Sequence, residues 1–107
     1  MITLSSHVLD TTSGKPAAGM SLTLIQPDGS IVSGKTDDDG RFNQWDVAKF
    51  TPGEYCLRFH CQPYLLSTHG QSFYPHVDIN FIVAQDTGHY HIPLLISPFG
   101  YSSYRGS

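Results

Sequence analysis

Two histidines stand where a β-strand would turn them toward water, and an imidazole so placed can do chemistry. In the stretch from Ile2 to Leu9, Leu4 and Val8 share one side while Ser5 and His7 share the other. Around residue 90 the same alternation sets Tyr90, Ile92, Leu94 and Ile96 against His89, His91 and Pro93. His7 and His91 therefore both face away from the apolar rows that must fill a core. Imidazole titrates near neutrality, so either could take a proton from water at physiological pH. A lone surface histidine is nonetheless more often a solvated side chain than a catalyst, and alternation alone goes no further.

Other candidate groups are weaker. The segment Pro98 to Ser107 carries Tyr101, Tyr104 and Arg105 up to its last residues, where a strand usually runs into a disposable polar tail. It reads equally well as an edge strand with β-favouring aromatics. Asp37, Asp38 and Asp39 ahead of Gly40 suggest calcium, but alignment with an EF-hand loop puts Lys35 at the first ligand position, so a turn is expected. His89-x-His91 lacks a locatable third ligand, and no metal is expected. Cys56 and Cys61 fall in one apparent strand at odd separation, hence on opposite faces. They read as free thiols in a reducing compartment.

The elements that must position these groups are strands. Period-two alternation recurs, most cleanly through Val77, Ile79, Phe81 and Val83, and turn signals such as Pro27-Asp28-Gly29, Asp39-Gly40 and Pro52-Gly53 punctuate it. Strands are expected at 2–9, 20–26, 30–36, 41–45, 54–61, 76–83, 89–97 and 101–106, with a short helix within 62–71. The fold class is all-β, an antiparallel two-sheet sandwich of about eight strands. A chain of 107 residues suits one domain over 1–107. A formal charge of −3 without a basic block argues against nucleic acid, and no apolar run approaches a membrane span. The N-terminus has no basic start or apolar core of a secretory signal and the C-terminus is not SKL, so the cytoplasm is the expected compartment, with a peroxisome as the alternative.

Four segments together carry a resemblance. They are His7-Val8-Leu9-Asp10 with Gly14-Lys15-Pro16-Ala17-Ala18-Gly19, the turn Thr36-Asp37-Asp38-Asp39-Gly40-Arg41, and Ser72-Phe73-Tyr74-Pro75 with the strand after it. The fourth is His89-Tyr90-His91-Ile92-Pro93-Leu94-Leu95, running through Ser97-Pro98-Phe99-Gly100-Tyr101-Ser102 to Tyr104-Arg105-Gly106-Ser107. In this order they resemble the 5-hydroxyisourate hydrolases, transthyretin-related proteins of urate degradation. The stretches Asn43 to Phe50 and His60 to Pro63 depart from the family pattern and leave the quoted segments intact.

The resemblance implies a transthyretin (prealbumin)-like sandwich, a homotetramer, no cofactor, and hydrolysis of 5-hydroxyisourate to 2-oxo-4-hydroxy-4-carboxy-5-ureidoimidazoline. His7, Arg41, His91 and Ser107 are the implied catalytic residues, with Tyr104, Arg105 and Gly106 against the substrate. One histidine would activate water, with the choice between His7 and His91 open. Arg41, always charged and planar, suits a developing oxyanion. Without the resemblance, Arg41 reads as an exposed turn residue paired with Asp37 to Asp39. Ser107 offers a hydroxyl and the terminal carboxylate. The competing readings are a carrier that holds a small aromatic ligand without chemistry, and a purely structural sandwich.

Overall fold

Alternating apolar residues build nine strands and one helix in the computed structural model, which describes residues 1–107: β1 (Ile2–Asp10), β2 (Lys15–Pro16), β3 (Ser21–Ile25), β4 (Ile31–Lys35), β5 (Arg41–Phe42), β6 (Gly53–His60), α1 (Cys61–His69), β7 (Val77–Val83), β8 (Gly88–Ser97) and β9 (Gly100–Ser103). One sheet runs β2-β1-β8-β9, with β5 also paired to β1, and the other runs β4-β3-β6-β7. The sandwich follows from the pattern, since the longer strands each have one apolar face and the two faces can only bury each other. Leu4, Val8, Leu22, Leu24, Leu57, Phe59, Leu94 and Ile96 are all buried between the sheets. Each such side chain contributes roughly 1.5–3 kcal/mol of apolar burial.

All strand pairs are antiparallel except β1 and β8, which run parallel from Ile2 opposite Gly88 to Asp10 opposite Ile96. The sequence offered no sign of this pairing, because no turn joins the two strands. Buried Ser6 reinforces it by donating from Oγ to the Ile92 carbonyl at 2.7 Å. The two-residue β2 is an addition to the expected strands, and β5 and β9 end earlier than expected.

Cys61 opens α1 instead of closing β6, so the reading of both cysteines on one strand is corrected. The chain leaves extended geometry at His60, and Pro63, tolerated in a first helical turn, follows at once. Both thiols are free. Burial pushes both up, at Cys56 with a further push from Asp78, so neither is poised as a nucleophile. Helix α1 buries Cys61 and Leu65 and is tied to the end of β1 through Asp10. It has nine residues, and no helix is long and apolar enough to cross a membrane.

Candidate active site

The outward face of β1 and its neighbours assembles the polar groups. His7 pairs directly with Arg41 across the antiparallel β1–β5 ladder, so the two side chains share a face. Ser5, two residues earlier on that face, lies opposite His91 of β8. His91 lies opposite Gly106, whose N–H donates to the His91 carbonyl at 2.8 Å. A Cβ on Gly106 would run into the His91 ring, so the absence of a side chain lets the C-terminal segment close over the imidazole. Alternation thus put His7 and His91 on the correct face, and pairing brings them to one region.

The turn before β5 fixes Arg41. Asp37 Oδ1 accepts hydrogen bonds from the backbone N–H of Asp39 and of Arg41, each at 2.9 Å. Gly40 adopts φ +74°, where a side chain is strained, and a Cβ there would meet the Val8 carbonyl at 2.5 Å. The ion pair between Arg41 and the turn acids, the reading of this residue without the resemblance, does not form. Asp37 spends its carboxylate on backbone donors, and no carboxylate lies within 4.0 Å of the Arg41 guanidinium. A fork of donors is left free for something else.

Arg41, His91 and Ser107 line one cleft of about 350 Å³, together with Ser5, Asp37 and Asn43. His7 is not among its lining residues and stands beside it, opposite Arg41. Tyr104 and Arg105 line a neighbouring, larger cleft of about 670 Å³ against β7, to which His91 also contributes. The Arg105 guanidinium stacks 4.5 Å from the Tyr90 ring centre, pinning the C-terminal segment to β8. The implied site residues therefore fall into two adjoining groups with His91 between them.

His91 is held below the ordinary imidazole value. Burial is the main cause, followed by the charges of His89, His7 and Arg41, with a backbone hydrogen bond to Ser5 opposing. Its Nδ1 lies 2.7 Å from Ser5 Oγ, while Nε2 has no protein partner. A neutral imidazole with one free nitrogen beside a free guanidinium can accept a proton from water while the cation faces a developing negative charge. Ser5 is the residue that sequence reasoning missed. A small hydroxyl on an outward face looks like ordinary surface, and its shared side with His7 was the only signal. No three His, Cys, Asp or Glu residues come together as a metal site.

The architecture is that of a transthyretin-like sandwich, and the comparisons with known proteins agree. Residues 4–106 match the model of the HIUase/Transthyretin family, and the chain belongs to that family. It is 44% identical to a probable 5-hydroxyisourate hydrolase of Caenorhabditis elegans over 97% of this chain and 81% of that protein. The structure of Klebsiella pneumoniae 5-hydroxyisourate hydrolase superposes with a TM-score of 0.86 at 35% identity, covering all of both chains. Sea bream transthyretin in complex with thyroxine superposes equally well, TM-score 0.86, at 28% identity over 97% of this chain and 94% of that one. The backbone alone therefore does not separate the two branches, and the side chains on the outer face must.

Proposed function

We propose that this protein hydrolyses 5-hydroxyisourate to 2-oxo-4-hydroxy-4-carboxy-5-ureidoimidazoline, a ring opening in urate degradation, in the cleft lined by Arg41, His91 and Ser107. One observation carries the reading: a proton-accepting imidazole and an unpaired guanidinium line the same cleft. A carrier for an aromatic ligand needs apolar walls with a few polar groups. Phe42 is the one apolar residue here, against histidines, Arg41, serines, Asn43 and Asp37. The hydrolase name borne by relatives that are more similar than the transthyretin points the same way.

In the proposed mechanism His91 Nε2 accepts a proton as water attacks the cyclic amide carbonyl. Arg41 stabilises the oxyanion, and the carbon–nitrogen bond then breaks as the leaving nitrogen takes a proton back. The neutral form of His91 favoured by its surroundings is the form a base needs. His7, beside Arg41, orients the substrate or supplies the returning proton, and Ser107 contributes a polar contact at the cleft rim. Tyr104, Arg105 and Gly106 shape the wall next to His91. We further infer a homotetramer of transthyretin type, supported by family membership and by exposed Ile82, Tyr101 and Tyr104 beside the open edges of β7 and β9. Light scattering should return four times the chain mass.

The test is spectroscopic. Urate oxidase generates 5-hydroxyisourate from urate, the protein is added, and the decay of the intermediate is followed. Decay well above the spontaneous rate is expected. A rate equal to the spontaneous one would overturn the reading in favour of a carrier.

A further inference from the structure

The outer face of β1 and β8 carries more order than a single histidine requires. Thr3 Oγ1 lies 2.6 Å from His89 Nδ1, His89 Nε2 lies 3.1 Å from Ser5 Oγ, and Ser5 Oγ lies 2.7 Å from His91 Nδ1. The two imidazole planes are nearly parallel, 15° apart, with ring centres separated by 6.4 Å and the Ser5 hydroxyl bridging them. His89 and Thr3 are exposed, whereas His91 is half-buried. The geometry points to a proton relay, Thr3–His89–Ser5–His91, that connects the cleft to solvent and sets the tautomer of His91. Its part in catalysis rests on the hydrolase reading; the relay itself does not. Ser5 and His89 are positioning residues, since they act through His91.

A hydroxyl has one hydrogen, and that count makes the chain directional. In one state Ser5 donates to His89 Nε2 and accepts from His91 Nδ1–H, His89 Nδ1–H donates to Thr3, and His91 Nε2 is an open acceptor. In the other state every hydrogen has moved over by one bond. When Nε2 takes a proton from water, the N–H bond at His91 Nδ1 breaks and its proton goes to Ser5. The Ser5 proton goes to His89 Nε2, the His89 Nδ1 proton goes to Thr3, and the Thr3 proton goes to bulk water. Each residue loses one proton and gains one, so His91 ends neutral with the proton on Nε2. As Nε2 gives that proton to the leaving nitrogen, the chain shifts back and a proton re-enters from bulk water through Thr3, His89 and Ser5 to Nδ1. The alternative, an imidazolium at His91, would sit near His7 on β1 and Arg41 on β5, with Asp37 of the preceding turn lining the same cleft. His89, its neighbour on β8, also has Arg105 of the C-terminal segment reaching toward its carbonyl at 3.5 Å. Exporting the proton avoids adding a further cation to this group.

The experiment is a ¹⁵N-imidazole NMR titration of the intact wild-type protein and of Ser5→Ala and Ser5→Thr, with turnover measured on the same samples. In the wild type, the ¹⁵N shifts should report matched tautomers of neutral His89 and His91 across Ser5. Ser5→Ala should change the Nδ1/Nε2 tautomer ratio of His91 and lower kcat on the order of 10-fold to 100-fold with KM little changed. Ser5→Thr, which keeps the hydroxyl, should restore the tautomer ratio and most of kcat. Identical tautomer ratios in wild type and Ser5→Ala would overturn the relay, whatever the turnover. A Ser5-dependent tautomer in a protein that does not accelerate 5-hydroxyisourate decay would sink the hydrolase reading and leave the relay standing.

Discussion

Two histidines in this molecule make hydrogen bonds of nearly equal length to partners of opposite character. His69, at the end of α1, sets Nε2 2.6 Å from Asp10 Oδ2, and His91 sets Nδ1 2.7 Å from Ser5 Oγ. The partner makes the difference. The Asp10 carboxylate is fully buried and accepts from Tyr64 as well, while its other oxygen accepts from the N–H of Thr12 and of Ser13. Its donors come from α1 and from the turn after β1, so the carboxylate is committed to holding those segments together. Ser5 can give or accept, and it sits on the outer face. A saturated carboxylate fixes structure, and a reversible hydroxyl leaves a neighbouring imidazole free for chemistry.

The largest effect that would sharpen this contrast is on turnover. Replacing His7 with Ala, Arg41 with Met, or His91 with Ala should each lower kcat/KM at least about 10²-fold. His69→Ala should cost stability and spare the turnover of the folded fraction. Turnover assays beside thermal melts separate these outcomes, and a stable His69→Ala protein as inactive as His91→Ala would erase the distinction.

Next comes stability. Asp10→Ala removes an acceptor shared by four donors, and urea unfolding should show a loss on the order of 3 kcal/mol, the scale for breaking a buried charged partnership. The pH dependence has a definite sign. Burial alone would raise the Asp10 carboxyl, but the bonds from His69, Tyr64, Ser13 and Thr12 outweigh it and hold the group below 3.8. Its stabilisation is therefore complete above the unfolded value and is lost as pH falls through the lower folded value. Acid unfolding of Asp10→Asn, followed by circular dichroism, should lack that component.

His91 supplies a third comparison. Its depressed value means that the neutral base persists below 6.5, so the acid limb of kcat/KM should lie lower than for an ordinary histidine. Arg41→Met removes one of the charges that disfavour the cation, so the NMR midpoint of His91 should move up. A downward move would contradict the electrostatic assignment. The smallest effect is expected on the opposite sheet, where Arg58 and Asp78 form a two-point pair at 2.7 and 2.8 Å. Both side chains are about one-third exposed, so Asp78→Asn should barely shift the urea midpoint and should leave turnover unchanged.

Much of this was readable from alternation, and the failures have physical causes. The sides taken by His7 and His91 follow from Leu4, Val8, Ile92 and Leu94 facing inward, because a strand has only two faces. Asp10 was readable too and went unread: it continues the inward row of Ile2, Leu4 and Val8, and a carboxylate on a core face demands partners. Cys61 was misassigned because it continues the alternating row of Tyr55, Leu57 and Phe59, and alternation alone does not mark where a strand gives way to a helix. The parallel pairing of β1 with β8 joins segments at opposite ends of the chain, beyond the reach of any turn rule. The role of Ser5 depends wholly on that pairing, whereas His91 meets Gly106 through the antiparallel return of the chain after β9.

The central claim is that chemistry belongs to the Arg41 cleft and not to the larger one beside β7. The most direct measurement is an amide-resolved NMR titration with urate, a non-hydrolysed relative of the proposed substrate. Shifts concentrated at Ser5, His7, Arg41 and His91 are the expected result. Shifts concentrated at Ile79, Ile82 and Tyr101, with Arg41 unmoved, would contradict it.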